Sequence, residues 1–211
     1  MLDFRFYLIT DRLNTRGDPL VLLPQLAAAG LRAVQVREKD LSPAALYAYG
    51  STIQKGLAGG PSATAAMRLY LNDRADIALS LGFAGVHLRE ESLPLASHPP
   101  ALREGLSFGV STHSAEGVRA AEEAGADFAT FGPVYATGSK AAYGEPVGLK
   151  ALERAAAASN LPLLALGGVT AERAGECLAA GAHGVAAISA VWDAEQPVQA
   201  LAEFERALGG L

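Results

Sequence analysis

Eight short apolar runs, separated by longer stretches of helical character, form the most regular pattern in this chain. The runs are continuously apolar, which is typical of parallel strands that are buried on both faces. Capping residues and prolines open helical segments between them, as at Asp18-Pro19, Ser42-Pro43 and Ser114. The pattern therefore predicts strands at 5–10, 33–37, 69–71, 85–88, 106–110, 128–131, 163–166 and 185–188.

One short motif recurs four times and supports this alternation. At 28–34, 81–86, 123–128 and 179–185 a helical segment ends on a glycine, and an apolar strand begins a few residues later. Glycine suits that position because it readily adopts the left-handed conformation in which many helices end. Eight strand–helix units favour an α/β fold, a single small (β/α)8 TIM barrel over residues 1–211. A doubly wound open sheet remains the structural alternative.

Composition and charge narrow the functional classes. The formal net charge is −5 and no basic run is present, which argues against a general nucleic-acid surface. No apolar run approaches the roughly 18 residues of a membrane span. The first ten residues contain Asp3 and Arg5, so they do not resemble a signal peptide. The single cysteine, Cys177, suits a reducing compartment. We therefore expect a cytoplasmic protein without membrane partners, and leave open whether it forms a homo-oligomer.

The connection between the sixth strand and the next helix, residues 132–149, is unusually long. Connections in compact α/β units are usually a few residues, and longer ones tend to be functional. Thr137, Ser139 and Lys140 place two hydroxyl groups and an ammonium group around Gly138. Such donors next to a glycine are well suited to phosphate oxygens. The alternative interpretation is a solvated surface loop.

Polar residues also follow the other predicted strands. In a TIM barrel the carboxyl ends of the strands meet at one face, where active sites lie. Positive charge, the Asp73 carboxylate as a candidate cation ligand, and several hydroxyl and amide groups together predict a site for a phosphorylated substrate, of which a diphosphate with Mg²⁺ is the best match. The residues in question are Gln35, Arg37, Lys39, Asn72, Asp73, 87–92, Ser111 and His113.

The last two strands predict a second anion site. Gly167-Gly168 and Ile188-Ser189 place backbone amides at helix starts, and this corner of a TIM barrel frequently binds phosphate. Tight barrel turns without a ligand are the alternative.

Taken in order, these segments resemble the thiamine phosphate synthase/thiazole tautomerase superfamily over essentially the whole chain. The segments that carry the resemblance are Gln35-Val-Arg37-Glu-Lys39, Asn72-Asp73-Arg-Ala-Asp, Gly85-Val-His87-Leu, Gly109-Val-Ser111-Thr-His113, Gly132-Pro-Val-Tyr-Ala-Thr137-Gly-Ser139-Lys140 and Leu166-Gly167-Gly168-Val-Thr.

The resemblance implies a small TIM barrel that joins 4-amino-2-methyl-5-hydroxymethylpyrimidine diphosphate to 4-methyl-5-(2-phosphoethyl)thiazole, releasing diphosphate. It implies that Asp73 ligates Mg²⁺ and that Gly168, Ile188 and Ser189 hold the thiazole phosphate. It assigns the pyrimidine diphosphate to Gln35, Arg37, Lys39, Asn72, Ser111, Thr137, Ser139 and Lys140. The family's reaction is dissociative, so no covalent nucleophile is needed.

One segment departs from the synthase pattern. After Gly-Val-His-Leu the synthases usually continue Gly-Gln-Glu/Asp-Asp, with the last Asp as a second Mg²⁺ ligand, whereas this chain reads Arg89-Glu90-Glu91-Ser92. Glu90 or Glu91 is then the alternative ligand. The tautomerase branch offers the other interpretation, with His113 in Ser111-Thr-His113-Ser114 as a proton shuttle. The diphosphate-binding set as a whole favours the synthase.

Overall fold

Eight parallel strands close into one barrel in the order in which they occur along the chain. The computed structural model describes residues 2–58, 67–137 and 145–209. The strands are β1 (Phe6–Ile9), β2 (Ala33–Val36), β3 (Arg68–Asn72), β4 (Gly85–Leu88), β5 (Ser107–Thr112), β6 (Phe128–Phe131), β7 (Leu163–Ala165) and β8 (Gly184–Ala187). The closing pair, β1 with β8, joins Tyr7 to Ala186 and is also parallel. The closed barrel is therefore confirmed and the open sheet is excluded.

The helices cover the outside of the barrel. They are α1 (Pro19–Ala28), α2 (Pro43–Ala58), α3 (Ala75–Leu81), α4 (Pro100–Gly105), α5 (Ala115–Glu123), α6 (Leu149–Ala157), α7 (Ala171–Ala179), α8 (Ser189–Trp192) and α9 (Pro197–Ala207). None of those in the described ranges is long and apolar enough to cross a membrane. Their inner faces pack on the outward-facing strand residues and form the larger of two hydrophobic clusters.

The local signals that predicted the helices are confirmed. The Asp18 carboxylate accepts a hydrogen bond from the Leu20 amide at 2.9 Å, and the Ser114 hydroxyl accepts one from the Gly117 amide at 3.0 Å. The repeated glycines have positive φ angles, 106° at Gly30, 66° at Gly82, 86° at Gly125 and 91° at Gly181. All four therefore adopt the conformation that the recurring motif predicted.

The second hydrophobic cluster fills the barrel itself, and it is aromatic. Phe4, Tyr7, Tyr70 and Phe128 lie almost fully buried, and the Tyr70 and Phe128 ring centroids are 5.2 Å apart in an edge-to-face arrangement. These large side chains close the amino-terminal part of the interior. Space for a ligand is consequently left at the carboxyl ends of the strands.

The predicted strand boundaries differ from the structure by up to two residues, most clearly in β5. The apolar pattern predicted an end at Val110, but the strand continues to Thr112 because Ser111 and Thr112 pair with Thr130 and Phe131 of β6. The apolar run ends earlier than the ladder because polar side chains line the upper barrel. This polar layer lines the candidate site above the aromatic cluster.

Candidate active site

A cavity of about 390 Å³ opens at the carboxyl ends of the strands. Side chains alternate along each strand, so the next inward-facing positions above the aromatic cluster lie two residues further along. Several of these are polar, namely Gln35, Asn72, His87, Ser111 and Thr130. The upper barrel is therefore lined by hydrogen-bonding groups above an apolar floor, as expected for a ligand pocket.

Most of the residues predicted from sequence line this one cavity. They are Gln35, Arg37, Lys39, Asn72, Ser111, His113, Thr137, Gly167, Gly168, Ile188 and Ser189. Glu90, Glu91 and Arg89 line it too. Ser139 and Lys140 lie outside the described residues. Asp73 follows directly after Asn72 at the end of β3, beside the cavity wall.

Two amide side chains lead from the pocket to Asp73. Gln35 donates from Nε2 to Asn72 Oδ1 at 3.0 Å, and Asn72 donates from Nδ2 to Asp73 Oδ2 at 3.1 Å. Because each donor in this series of hydrogen bonds has an acceptor, the orientation of both side-chain amide groups is fixed. Gln35 is almost fully buried. The neighbouring strands β2 and β3 thus present a pre-oriented polar wall to a ligand.

Asp73 is held mainly from the turn that follows β4. Arg89 Nε donates to Asp73 Oδ2 at 2.5 Å, the Arg89 amide donates to Oδ1 at 3.3 Å, and the Ser92 hydroxyl also donates to Oδ1. Burial opposes ionisation of this carboxyl, but the hydrogen bonds from Ser92 and Arg89 outweigh it and keep the Asp73 pKa below its ordinary value. Asp73 is therefore ionised at neutral pH and already partnered.

The residues Arg37 and Lys39 flank a buried carboxylate, Glu38. The Thr10 hydroxyl donates to Glu38 Oε1 at 2.6 Å and accepts from the Arg37 amide at 2.9 Å. Burial raises the Glu38 pKa, and the hydrogen bonds from Thr10 and the Arg12 amide offset this only in part. Thr10 thereby connects the Arg37 backbone amide to the Glu38 side chain, which supports the segment that carries the two pocket cations.

His87 lies beneath the pocket and is fully buried. Its Nε2 is 3.1 Å from Ser111 Oγ and 3.4 Å from Thr130 Oγ1, and its Nδ1 is 3.5 Å from the Tyr7 hydroxyl. Burial is the main cause that lowers the His87 pKa to about 3, so the ring is neutral at physiological pH. This neutral ring orients the Ser111 hydroxyl, which faces the cavity.

His113 has its two ring nitrogens in different surroundings. Nδ1 is 2.5 Å from the Gly132 carbonyl oxygen, which can only accept, so Nδ1 carries a proton. Nε2 lies 3.9 Å from Glu90 Oε2 at the pocket wall. Glu90, one of the two alternative metal ligands, therefore faces His113.

Two glycines after β7, Gly167 and Gly168, allow the backbone to approach closely at their part of the cavity rim. Gly167 and Gly168 have φ angles of 95° and 62°, and a Cβ on Gly168 would lie 2.4 Å from the Ala136 carbonyl oxygen. The chain therefore requires glycine here for close backbone approach as well as for conformation. Ile188 and Ser189 reach the same cavity at the start of α8.

Sequence reasoning missed the importance of Arg89 and Thr10. Arg89 stands where the synthase pattern has glycine, and that departure was the available signal for it. Thr10 gave a weaker signal, a hydroxyl at the carboxyl end of the first apolar run. Neither partner can be identified from the sequence, because Arg89 and Thr10 meet residues on neighbouring strand ends.

Comparisons with known proteins show the family and agree with the fold. The family model described as thiamine monophosphate synthase matches residues 6–191. A putative thiamine-phosphate synthase of Geobacter sulfurreducens is 46% identical over 191 residues, which cover 90% of this chain and 87% of that protein. A thiamine-phosphate synthase of Chlorobium luteolum is 40% identical over 86% of this chain and 84% of that protein. The structure of a thiamine phosphate pyrophosphorylase from Pyrococcus furiosus superposes with a TM-score of 0.82 at 28% identity, covering 97% and 95% of the two chains.

Proposed function

This chain belongs to the thiamine monophosphate synthase family, and we propose that it catalyses the synthase reaction itself. In that reaction 4-amino-2-methyl-5-hydroxymethylpyrimidine diphosphate and 4-methyl-5-(2-phosphoethyl)thiazole combine to thiamine phosphate and diphosphate. The observation that carries the proposal is that one cavity joins two regions suited to anions. Arg37 and Lys39 line one of them, and Gly168 with Ile188-Ser189 lines the other. Two phosphorylated substrates need two such regions.

The first region suits the diphosphate. The bond between the pyrimidine methylene carbon and the diphosphate oxygen breaks, and its electron pair leaves with the diphosphate. The guanidinium of Arg37 and the ammonium of Lys39, which line the pocket, stabilise that growing negative charge. Thr137 and Ser111 add hydroxyl donors. Ser139 and Lys140, which the resemblance assigns to the same diphosphate, remain part of this proposal.

The second region positions the other substrate. The backbone amide of Gly168, in the turn before α7, and those of Ile188 and Ser189 at the start of α8 are suited to the thiazole phosphate, since exposed backbone amides near helix starts bind anions. The thiazole nitrogen then donates its lone pair to the methylene carbon and forms the new C–N bond. No proton has to be transferred in this step, and no side chain has to act as a nucleophile.

Magnesium fits this site with help from the substrate. No group of three or more His, Cys, Asp or Glu side chains in residues 2–58, 67–137 and 145–209 could hold a metal ion. Mg²⁺, however, is often held by one or two carboxylates, with substrate phosphates supplying further oxygens. Asp73 would hold it together with oxygens of the diphosphate, and Ser92 Oγ, which donates to Asp73, is a further oxygen that would be available. When bound there, it would supply further neutralisation of the leaving group.

The tautomerase alternative depends on His113. Its protonated Nδ1 leaves Nε2 as the nitrogen that could exchange a proton, and His113 lines the cavity. The relatives described above, however, carry synthase names, and they do not favour the isomerase. The hydrogen bond from His113 Nδ1 to the Gly132 carbonyl oxygen also gives His113 a structural role that needs no proton transfer.

The test is an assay with purified protein, both substrates and Mg²⁺, in which thiamine phosphate is followed by chromatography. We expect product with the wild type, loss of product with EDTA, and a decrease of about 100-fold in Lys39→Ala and in Lys140→Ala. Lys55→Ala is the matched control, because Lys55 is an exposed lysine on the barrel exterior. Absence of thiamine phosphate, with turnover of the thiazole carboxylate tautomer that is lost in His113→Ala, would replace the synthase with the isomerase.

A further inference from the structure

The carboxylate of Asp73 has no acceptor position left for a metal ion. An ionised carboxylate offers about four lone-pair positions on its two oxygens. In this structure Oδ1 accepts from the Ser92 hydroxyl and the Arg89 amide, and Oδ2 accepts from Arg89 Nε and Asn72 Nδ2. At least one of these hydrogen bonds must break before Asp73 can coordinate a cation.

The partners of Asp73 differ in how easily they can leave. Asn72 is tied to Gln35 on the neighbouring strand, and the Ser92 hydroxyl accepts from the Arg89 amide at 2.9 Å as well as donating to Asp73. The Arg89 side chain is 50% exposed and reaches Asp73 from the solvent side, across a contact of 2.5 Å. A half-exposed arginine can exchange this ion pair for water or for another anion at modest cost. It is therefore the partner that can give way.

Arg89 also carries the charge that a metal ion would bring. Its guanidinium neutralises Asp73 and at the same time lines the cavity in which the diphosphate would lie. We propose that Arg89 and the divalent cation compete for the Asp73 carboxylate, so that Arg89 is the internal counter-ion of the metal-free site and weakens metal binding. A diphosphate in the cavity offers the guanidinium an alternative anion, which frees Asp73 for the metal.

This inference rests on the metal in the proposed function, but its test needs neither substrate. The measurement is titration of the protein with Mn²⁺ alone, with free Mn²⁺ quantified from its electron paramagnetic resonance signal. Mn²⁺ serves as the probe because it accepts the same oxygen ligands as Mg²⁺. If the protein shows no synthase activity but Arg89 still competes with Mn²⁺ for Asp73, the proposed function fails and this inference stands. If the protein is an active synthase but Arg89 has no effect on Mn²⁺ binding, this inference fails and the proposed function stands.

Three variants make the comparison. Arg89→Ala removes the ion pair, and we expect it to bind Mn²⁺ about tenfold more tightly than the wild type. Arg74→Ala is the matched control, because Arg74 stands one residue beyond Asp73 and pairs with Asp76 instead. It removes a positive charge two residues after the end of β3 without breaking a hydrogen bond to Asp73, so the affinity of this variant should stay within about twofold of the wild type. In Arg89→Ala combined with Asp73→Asn, the gain should disappear.

Two results would overturn the competition. One is an Arg89→Ala affinity within twofold of the wild type, or weaker. The other is an equal gain in Arg74→Ala, which would mean that net charge and not the contact with Asp73 sets metal affinity. Circular dichroism of each variant verifies that the barrel is intact, and Arg89→Lys provides a second substitution that keeps the charge but lacks Nε, with an expected intermediate affinity.

Discussion

Removal of the Thr10 hydroxyl should lower the free energy of unfolding far more than the loss of one small polar group normally does. Thr10→Val keeps the shape of a fully buried side chain, but it removes an acceptor from the Arg37 amide and a donor from the Glu38 carboxylate. The Arg37 amide loses its acceptor and the Glu38 carboxylate loses its shortest hydrogen bond, of 2.6 Å. An unsatisfied buried group costs roughly 1–3 kcal/mol, and more if charged, so we expect a loss of about 3 kcal/mol.

A second buried threonine provides the matched control. Thr112 is also almost fully buried, and its hydroxyl donates a single hydrogen bond, to the Thr130 carbonyl oxygen at 3.0 Å. Thr112→Val therefore removes one neutral interaction and should cost about 1 kcal/mol. Urea unfolding at pH 7, followed by circular dichroism, measures both variants. A difference below about 0.5 kcal/mol between them would refute the bridging role of Thr10.

The dependence on pH gives a second, independent check. Burial already raises the Glu38 pKa in the folded protein, and loss of the Thr10 bond raises it further. A raised carboxyl pKa costs stability when the group ionises, and this cost vanishes as pH falls toward the unfolded value of about 4.3. The deficit of Thr10→Val relative to Thr112→Val should therefore narrow on acidification. A deficit that is constant or grows at lower pH would show that Glu38 is not involved.

The remaining predictions concern a buried base, a glycine and an indole. The His87 pKa is lowered to about 3, mainly by burial, so the unfolded chain binds the proton more tightly and stability is lost as pH falls below about 6.5. We expect the free energy of unfolding to fall by about 2 kcal/mol between pH 7 and pH 5, and this loss to be absent in His87→Gln. Gly168→Ala should raise KM for the thiazole phosphate at least about tenfold, since no Cβ fits there. Gly30→Ala, in which nothing lies within 4 Å of the added Cβ, should lower the free energy of unfolding by only about 1–2 kcal/mol and leave KM unchanged. Trp192→Phe removes the 2.7 Å hydrogen bond to the Ile9 carbonyl oxygen and should lower the unfolding free energy by about 1–2 kcal/mol in urea.

Much of the barrel can be predicted from the sequence because each strand and helix end carries a local signal. Apolar runs locate the strands, and glycines such as Gly30 and Gly181 locate the helix ends through their left-handed conformation. Once the fold is a barrel, its geometry brings the strand ends together. Gln35, Asn72 and Ser111 could therefore be placed in one site without any knowledge of their contacts.

The contacts within the site could not be predicted in the same way. The hydrogen bond between Thr10 and Glu38 joins residues 28 positions apart, and the ion pair between Asp73 and Arg89 joins residues 16 positions apart. Both depend on how turns on adjacent strands curl over the barrel rim. No periodic pattern encodes that curvature, and the sequence can only indicate that charged residues stand at the strand ends.

The two carboxylates of the rim differ in how a departure from the synthase pattern at Arg89 would act on them: it would affect a metal ion held by Asp73, but not the segment of Arg37 and Lys39 that Glu38 supports. Glu38 is buried, which raises its pKa, and the Thr10 hydroxyl, the Arg12 amide and the Arg12 guanidinium hold it, so losing these partners would leave a buried charge uncompensated. Asp73 is less deeply placed, and although burial opposes its ionisation, Ser92 and Arg89 keep its pKa low. Its main counter-ion reaches it from solvent and can be replaced by another cation. Glu38 is consequently suited to brace Arg37 and Lys39 permanently, whereas Asp73 is suited to change partners during a catalytic cycle.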